Sequence, residues 1–198
     1  GCGARGWWSV LREGLSHLSP RYRAGEAGHC APAAACGVLL YQLARHGDTR
    51  LAVALGAGNV APLIWLACAM RAGRRHSGDH GIIVCEPSPC LAQLARRRLR
   101  EAGVSRYVDL RQDPPEPALS RIDQPLDCLL LNGYPSQMLA VLRQLRSRLR
   151  PGALVLAPRP GGACQDYADY LRHVRDPGSG FTSLALPGRQ ALELSVLA

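Results

Sequence analysis

The run Val53-Ala54-Leu55-Gly56-Ala57-Gly58-Asn59-Val60-Ala61 passes from an apolar strand pattern, through two glycines, into an apolar helix pattern. The first glycine permits a tight turn, and the second lets a ligand approach the backbone closely. The helix that follows opens with unpaired backbone N–H groups, which suit an anionic or polar ligand. Leu51–Leu55 reads as a short buried strand and Ala61–Arg71 as a strongly apolar helix, with Pro62 tolerable in its first turn.

Strand and helix signals alternate on either side of this turn. Upstream, Pro32–His46 carries Leu39, Leu40, Leu43 and Ala44 at helical spacing, with Pro32 in the first turn. Downstream, Gly81–Cys85 is a second strand, and Ser88 caps a helix that has Pro89 in its first turn. Leu91, Ala95, Leu99 and Ala102 form that helix's apolar stripe, and Gly103 stops it. Tyr107–Leu110 and Leu126–Leu131 are the third and fourth strands. A helix capped by Ser136 turns Leu139, Leu142, Leu145 and Leu149 inward. Pro151-Gly152 ends it ahead of a fifth strand at Ala153–Ala157. Tyr167–Val174 is a further helix, and Phe181–Leu186 with Gln190–Leu197 form a closing antiparallel hairpin. Such alternation predicts a mostly parallel sheet with helices on both faces. No repeat or linker interrupts it, so residues 1–198 read as one domain, with 1–28 as a helical extension centred on Trp7–Leu18.

Composition narrows the function class. Apolar residues make up 47% of the chain, enough for one substantial core. No apolar run reaches the roughly 18 residues of a spanning helix, and no signal peptide is evident, so a cytoplasmic protein is expected. The net charge of +9 comes from arginine alone. Runs such as Arg96, Arg97, Arg98 and Arg100, or Arg143, Arg146, Arg148 and Arg150, read as solvated helix faces rather than a nucleic-acid surface. The eight cysteines include no CxxC pair, which argues against zinc, and Cys85 and Cys128 read as free thiols in buried strands.

The second marker is Glu86, at the end of the second strand. A carboxylate there can accept hydrogen bonds from both hydroxyls of a ribose. Its distance from the glycine turn is long for the dinucleotide pattern, because Ala72–His80 forms an extended loop. Two ligand classes therefore remain open on the motif alone: a dinucleotide such as NAD, and S-adenosylmethionine (SAM).

Gly81-Ile82-Ile83-Val84-Cys85-Glu86-Pro87-Ser88-Pro89 resembles the second motif of the class I SAM-dependent O-methyltransferases related to catechol and caffeoyl-CoA methyltransferases. Leu149-Arg150-Pro151-Gly152-Ala153-Leu154-Val155-Leu156, the Ala31-Pro32-Ala33 segment and the terminal hairpin are similar to that family too. The resemblance covers roughly residues 30–198, most closely to small bacterial members. It implies a Rossmann-like sheet of seven strands, a homodimer, and a small-molecule substrate rather than nucleic acid or membrane. It assigns SAM, with S-adenosylhomocysteine (SAH) as product, to Gly56, Ala57, Gly58 and Asn59. It assigns ribose to Glu86, with Pro87 and Ser88 beside it, and adenine to Gln112, Asp113 and Pro114. Asn132, Gly133 and Tyr134 then face the reacting methyl group.

Departures from the family pattern bear on mechanism. An acid usually stands two residues before the first glycine, where this chain has Ala54. Metal-dependent members place acids where this chain has Asn132 and Pro158-Arg159. A hard cation needs several oxygen ligands with carboxylate charge. No catalytic metal is therefore expected. Asn132, Tyr134 and His29 are the candidate catalytic residues, and Arg159 could bind an anionic substrate. Three functions compete: metal-independent methyl transfer to a small hydroxylated metabolite, a SAM-binding protein without that activity, and an NAD-binding Rossmann protein.

Overall fold

The structure, a computed structural model, describes residues 31–73, 81–160, 163–186 and 191–198. The helix expected at Trp7–Leu18, and the side chains of His29 and His80, lie outside these residues. Helix α1 (Ala31–His46) precedes strand β1 (Leu51–Leu55) and helix α2 (Ala61–Ala72). Then come β2 (Gly81–Cys85), α3 (Pro89–Glu101), β3 (Val108–Arg111), α4 (Pro115–Ser120) and β4 (Leu126–Leu131). The chain continues through α5 (Pro135–Leu145), β5 (Leu149–Pro158), α6 (Gln165–Arg175), β6 (Phe181–Leu186) and β7 (Leu192–Leu197). All seven strands join one sheet in the order β3-β2-β1-β4-β5-β7-β6. β1 to β5 run parallel, and β7 is antiparallel to both β5 and β6. This is the expected α/β sheet with its closing hairpin.

Side-chain parity explains why the central strands are apolar apart from Asp127 near the start of β4. Ala52 and Ala54 of β1 share one core with Ile82, Val84, Cys128 and Leu130, covered by α1, α2 and α3. Leu51, Val53 and Leu55 share the other with Leu129, Leu131 and Val155, covered by α4, α5 and α6. Successive residues thus bury on opposite faces, which leaves little room for polar residues between them. Against α1, the indole of Trp65 from α2 lies so close to Gly37 that a Cβ there would fall 2.1 Å from its Nε1.

Several boundaries differ from the sequence reading. β3 starts at Val108 because Ser105–Tyr107 forms a short 3-10 turn first. The helix α4, built on Pro115-Glu116-Pro117, was not expected; prolines at a helix start cost little, because their missing N–H would be unpaired there anyway. α5 begins at Pro135 behind Tyr134, so Ser136 lies inside its first turn and is not its cap. Nor does Pro151-Gly152 end that helix, which stops at Leu145. β5 already starts at Leu149, and Pro151-Gly152 forms a bulge in it, with Gly152 at φ +81° and the register to β4 shifted. Ser88 does cap α3, its Oγ accepting from Leu91 N at 3.4 Å, and Gly103 follows the helix at φ +70°. Arg96, Arg97 and Arg100 are exposed, and Arg97 pairs with Glu101. Cys85 and Cys128 are buried and free. Among the described residues no helix is long and apolar enough to cross a membrane.

Two carboxylates, one part-buried and one buried, pin the sheet. Asp127 of β4 accepts from the backbone N–H groups of Arg50 and Leu51, at 2.8 and 3.0 Å, and pairs with Arg150. This fixes the start of β1 beside β4. Glu193 of β7 is 2% exposed and takes both prongs of Arg175 from α6, at 2.8 and 2.7 Å, plus the Ser183 hydroxyl. Burial opposes ionisation of Glu193, but the bonds from Arg175 and Ser183 win and hold its pKa below the usual carboxylate value. A lowered folded pKa supports the fold above the unfolded value, and that support fades as pH falls through the folded one. Glu193→Gln is expected to lower unfolding free energy at pH 7 by about 2–4 kcal/mol, because Arg175 loses a buried partner. In urea melts, the gap from wild type should shrink as the pH drops below the usual carboxylate range. A gap that widens there would refute the assignment.

Candidate functional site

The strand order places the site. β1 feeds a crossover to β2 on one side, while β4 stands on its other side. Open α/β sheets bind ligands at such a switch, outside the carboxyl ends of the strands. Three chain segments meet here: Gly56–Asn59 after β1, Glu86–Ser88 after β2 and Asn132–Tyr134 after β4.

Gly56 makes the meeting possible. It has φ +89°, and a Cβ on it would lie 3.2 Å from Asn132 O and from the N and Cα of Gly133. Both the backbone and the space therefore require glycine. Its N–H donates to Cys85 O at 2.8 Å, extending the β1–β2 pairing into the turn. Gly58 and Asn59 are exposed, Ala57 is buried, and Leu91 of α3 lies beside Gly58. Asn59 Oδ1 accepts from Ala61 N at 3.2 Å, which satisfies one orphan donor at the start of α2.

Glu86 is fully buried, an expensive position for a carboxylate unless it is hydrogen-bonded on both oxygens. Its Oε2 accepts from Ala57 N at 2.8 Å. Its Oε1 accepts from Ser88 N at 2.9 Å and from the Tyr134 hydroxyl at 2.5 Å. The carboxylate thus joins the glycine turn, the β2 end and the β4 end. Pro87 is half-buried beside it.

Asn132 faces the glycine turn. Its Nδ2 donates to Asn59 O at 2.6 Å and to Gly56 O at 3.4 Å, so the side chain braces the loop. Tyr134 takes a left-handed backbone at φ +52° immediately before Pro135. This conformation costs a non-glycine residue about 1 kcal/mol or more. It directs the ring back to Glu86. Burial, then the hydrogen bond to Glu86 and that residue's charge, push the Tyr134 hydroxyl up to about 12. A phenol so held is a poor proton acceptor at neutral pH. Gln112 and Asp113 are exposed on the same rim, after β3, whose Arg111 O accepts from Glu86 N. Arg159 is exposed at the end of β5, its N–H bonded to Ala191 O. Among the described residues no group of three or more His, Cys, Asp or Glu is placed to hold a metal ion.

The structure thus brings together Gly56, Ala57, Gly58, Asn59, Glu86, Pro87, Ser88, Asn132, Gly133 and Tyr134, and leaves Gln112 and Asp113 on the adjoining rim. The Tyr134–Glu86 contact was not legible beforehand. Its one sequence signal was a tyrosine before a proline at a strand end.

Solved structures share this architecture. The chain aligns with the O-methyltransferase TomG from Streptomyces achromogenes, solved with SAM, at TM-score 0.70 and 22% identity, over 94% of this chain and 90% of that one. An O-methyltransferase from Bacillus cereus in complex with SAH aligns at TM-score 0.68 and 17% identity, over 99% and 92%. A methyltransferase from Geobacter sulfurreducens aligns at TM-score 0.59 and 25% identity, over 82% and 79%. The fold is that of the SAM-dependent O-methyltransferases. No protein-family model and no curated protein sequence matches the chain. Within the methyltransferase fold, the glycine turn and Glu86 occupy the switch point of the sheet.

Gly56→Ala should cost about 1–3 kcal/mol of unfolding free energy, since it adds left-handed strain and a backbone clash with Gly133. Urea denaturation checks this; an unchanged midpoint would show that the turn adopts another conformation.

Proposed function

We propose that this chain binds SAM at the glycine turn and transfers its methyl group to a small hydroxylated metabolite, without a catalytic metal. The observation that carries the reading is Glu86: a buried carboxylate at the end of β2, bonded to the N–H of Ala57 in the turn. That geometry suits a ligand whose ribose meets the carboxylate while its amino-acid portion lies along Gly56–Gly58. Asn59, Pro87 and Ser88 flank the same ligand, Gln112 and Asp113 border the adenine, and Asn132 and Gly133 stand on the side of the reacting methyl.

The antiparallel β6–β7 ending supports SAM over NAD. Classic dinucleotide sheets carry a sixth strand in the order 3-2-1-4-5-6 with no returning β7 between β5 and β6. Metal independence is supported by the neutral Asn132 at the β4 end and by Arg159 at the β5 end. A neutral amide and a guanidinium supply none of the carboxylate charge that Mg²⁺ or Ca²⁺ requires.

Methyl transfer is an in-line displacement at a sulfonium carbon, so alignment of acceptor and methyl supplies much of the rate. Because Tyr134 is engaged with Glu86, we do not assign it as the general base. His29 keeps that candidacy, and Arg159 is assigned to anionic groups of the acceptor.

Calorimetric titration with SAM, SAH and NAD tests the reading. Binding of SAM and SAH but not NAD is expected. NAD binding alone would overturn it, and binding of none would favour a protein that keeps the fold for another task. Glu86→Gln is expected to weaken SAH binding by about 1–3 kcal/mol, the scale of hydrogen bonds to a charged group. An undiminished affinity would remove Glu86 from the site. EDTA should leave methyl transfer to any acceptor intact; loss of activity restored by Mg²⁺ would contradict the assignment of Asn132 and Arg159.

A further inference from the structure

We propose that the Tyr134 hydroxyl occupies the position on Glu86 that a ribose hydroxyl takes, so that a cis-diol nucleoside must displace it in order to bind. The inference rests on the reading of the site as a nucleoside site. It concerns Tyr134, which that reading left without a role.

A carboxylate offers about four lone-pair positions on two oxygens. Glu86 has three of them engaged, two by backbone N–H groups and one by a phenol. The backbone donors cannot leave cheaply. Ala57 N belongs to the turn that Gly56 locks against Gly133, and Ser88 caps α3. A ribose presents two vicinal hydroxyls, and both need acceptor positions on the same carboxylate. One position is open on Oε2; the second must come from the donor that can move. Tyr134 is that donor, because rotation about its side-chain bonds carries the hydroxyl away while the strand ends stay in place. Its left-handed backbone, followed by Pro135, holds the ring in place for the contact. The hydroxyl therefore protects a buried carboxylate from an unpaired oxygen and at the same time sets a threshold for binding. A ligand with one hydroxyl, or none, gains nothing from displacing it, so the device favours an intact ribose over a deoxyribose.

The test compares wild type with Tyr134→Phe, which keeps the ring and removes the hydroxyl. SAH is titrated into both by calorimetry, and adenosine and 2′,3′-dideoxyadenosine then compete for the site. SAH should bind Tyr134→Phe about three- to tenfold more tightly, the scale of one net hydrogen bond. Adenosine should share the gain, and dideoxyadenosine should not. If wild type binds SAH and the variant binds it equally or more weakly, the proposal is overturned while the SAM-site reading stands. A gain shared equally by both nucleosides also overturns it, since the hydroxyl would then not be competing with ribose. If neither chain binds SAH, the reading of the site falls and takes the proposal with it. Should Tyr134→Phe fail to fold by circular dichroism, Tyr134→Leu, which also lacks the hydroxyl, is measured against the same outcomes.

Discussion

A carboxylate with no solvent exposure must find all its partners within the protein, and Glu86 finds them on three separate segments. Its bonds make the geometry of the β1, β2 and β4 ends a single problem. Moving the glycine turn strips Oε2 of its donor, and moving Tyr134 removes one from Oε1. Each loss leaves buried charge undersatisfied, at a cost of about 1–3 kcal/mol or more. The close approach of Gly56 to Gly133 goes with the same arrangement, in which Ala57 N reaches the carboxylate and Asn132 reaches the loop carbonyls.

Much of the sheet was legible because buried parallel strands have little choice of sequence. Leu51–Leu55, Gly81–Cys85 and Leu126–Leu131 were located to the residue, since both faces of each must be apolar and turn residues bound them. Ser88 and Gly103 were read correctly because capping and left-handed termination depend on one side chain and its neighbours. Errors gathered where a local signal had two structural uses. Pro151-Gly152 signals a helix end and also a strand bulge, and only the pairing of β5 with β4 decides between them. Ser136 has the right chemistry for a cap, but Pro135 is the better first helical residue and moved the start two residues earlier.

At the site, the positions were legible and the contacts were not. Glycines and an acid at strand ends announce themselves through spacing. That Asn132 would turn towards Asn59 rather than outward follows from loop carbonyls that exist only once the turn is folded. Tyr134 is the sharper case. Its position suggested acid–base chemistry, whereas its hydrogen bond to Glu86 and its raised pKa give it the part of a donor. Charge shows a similar split: the arginine-rich α3 face is solvent-exposed, while Arg150 and Arg175 are recruited as partners for Asp127 and Glu193.

Asp127 and Glu86 grip opposite ends of β1, the first through Arg50 and Leu51, the second through Ala57. β1 is therefore a beam clamped at both ends, unable to slide past β2 or β4 without breaking the bonds of a carboxylate. The glycine turn is thus fastened to the stiffest part of the sheet rather than hung from it as a loop.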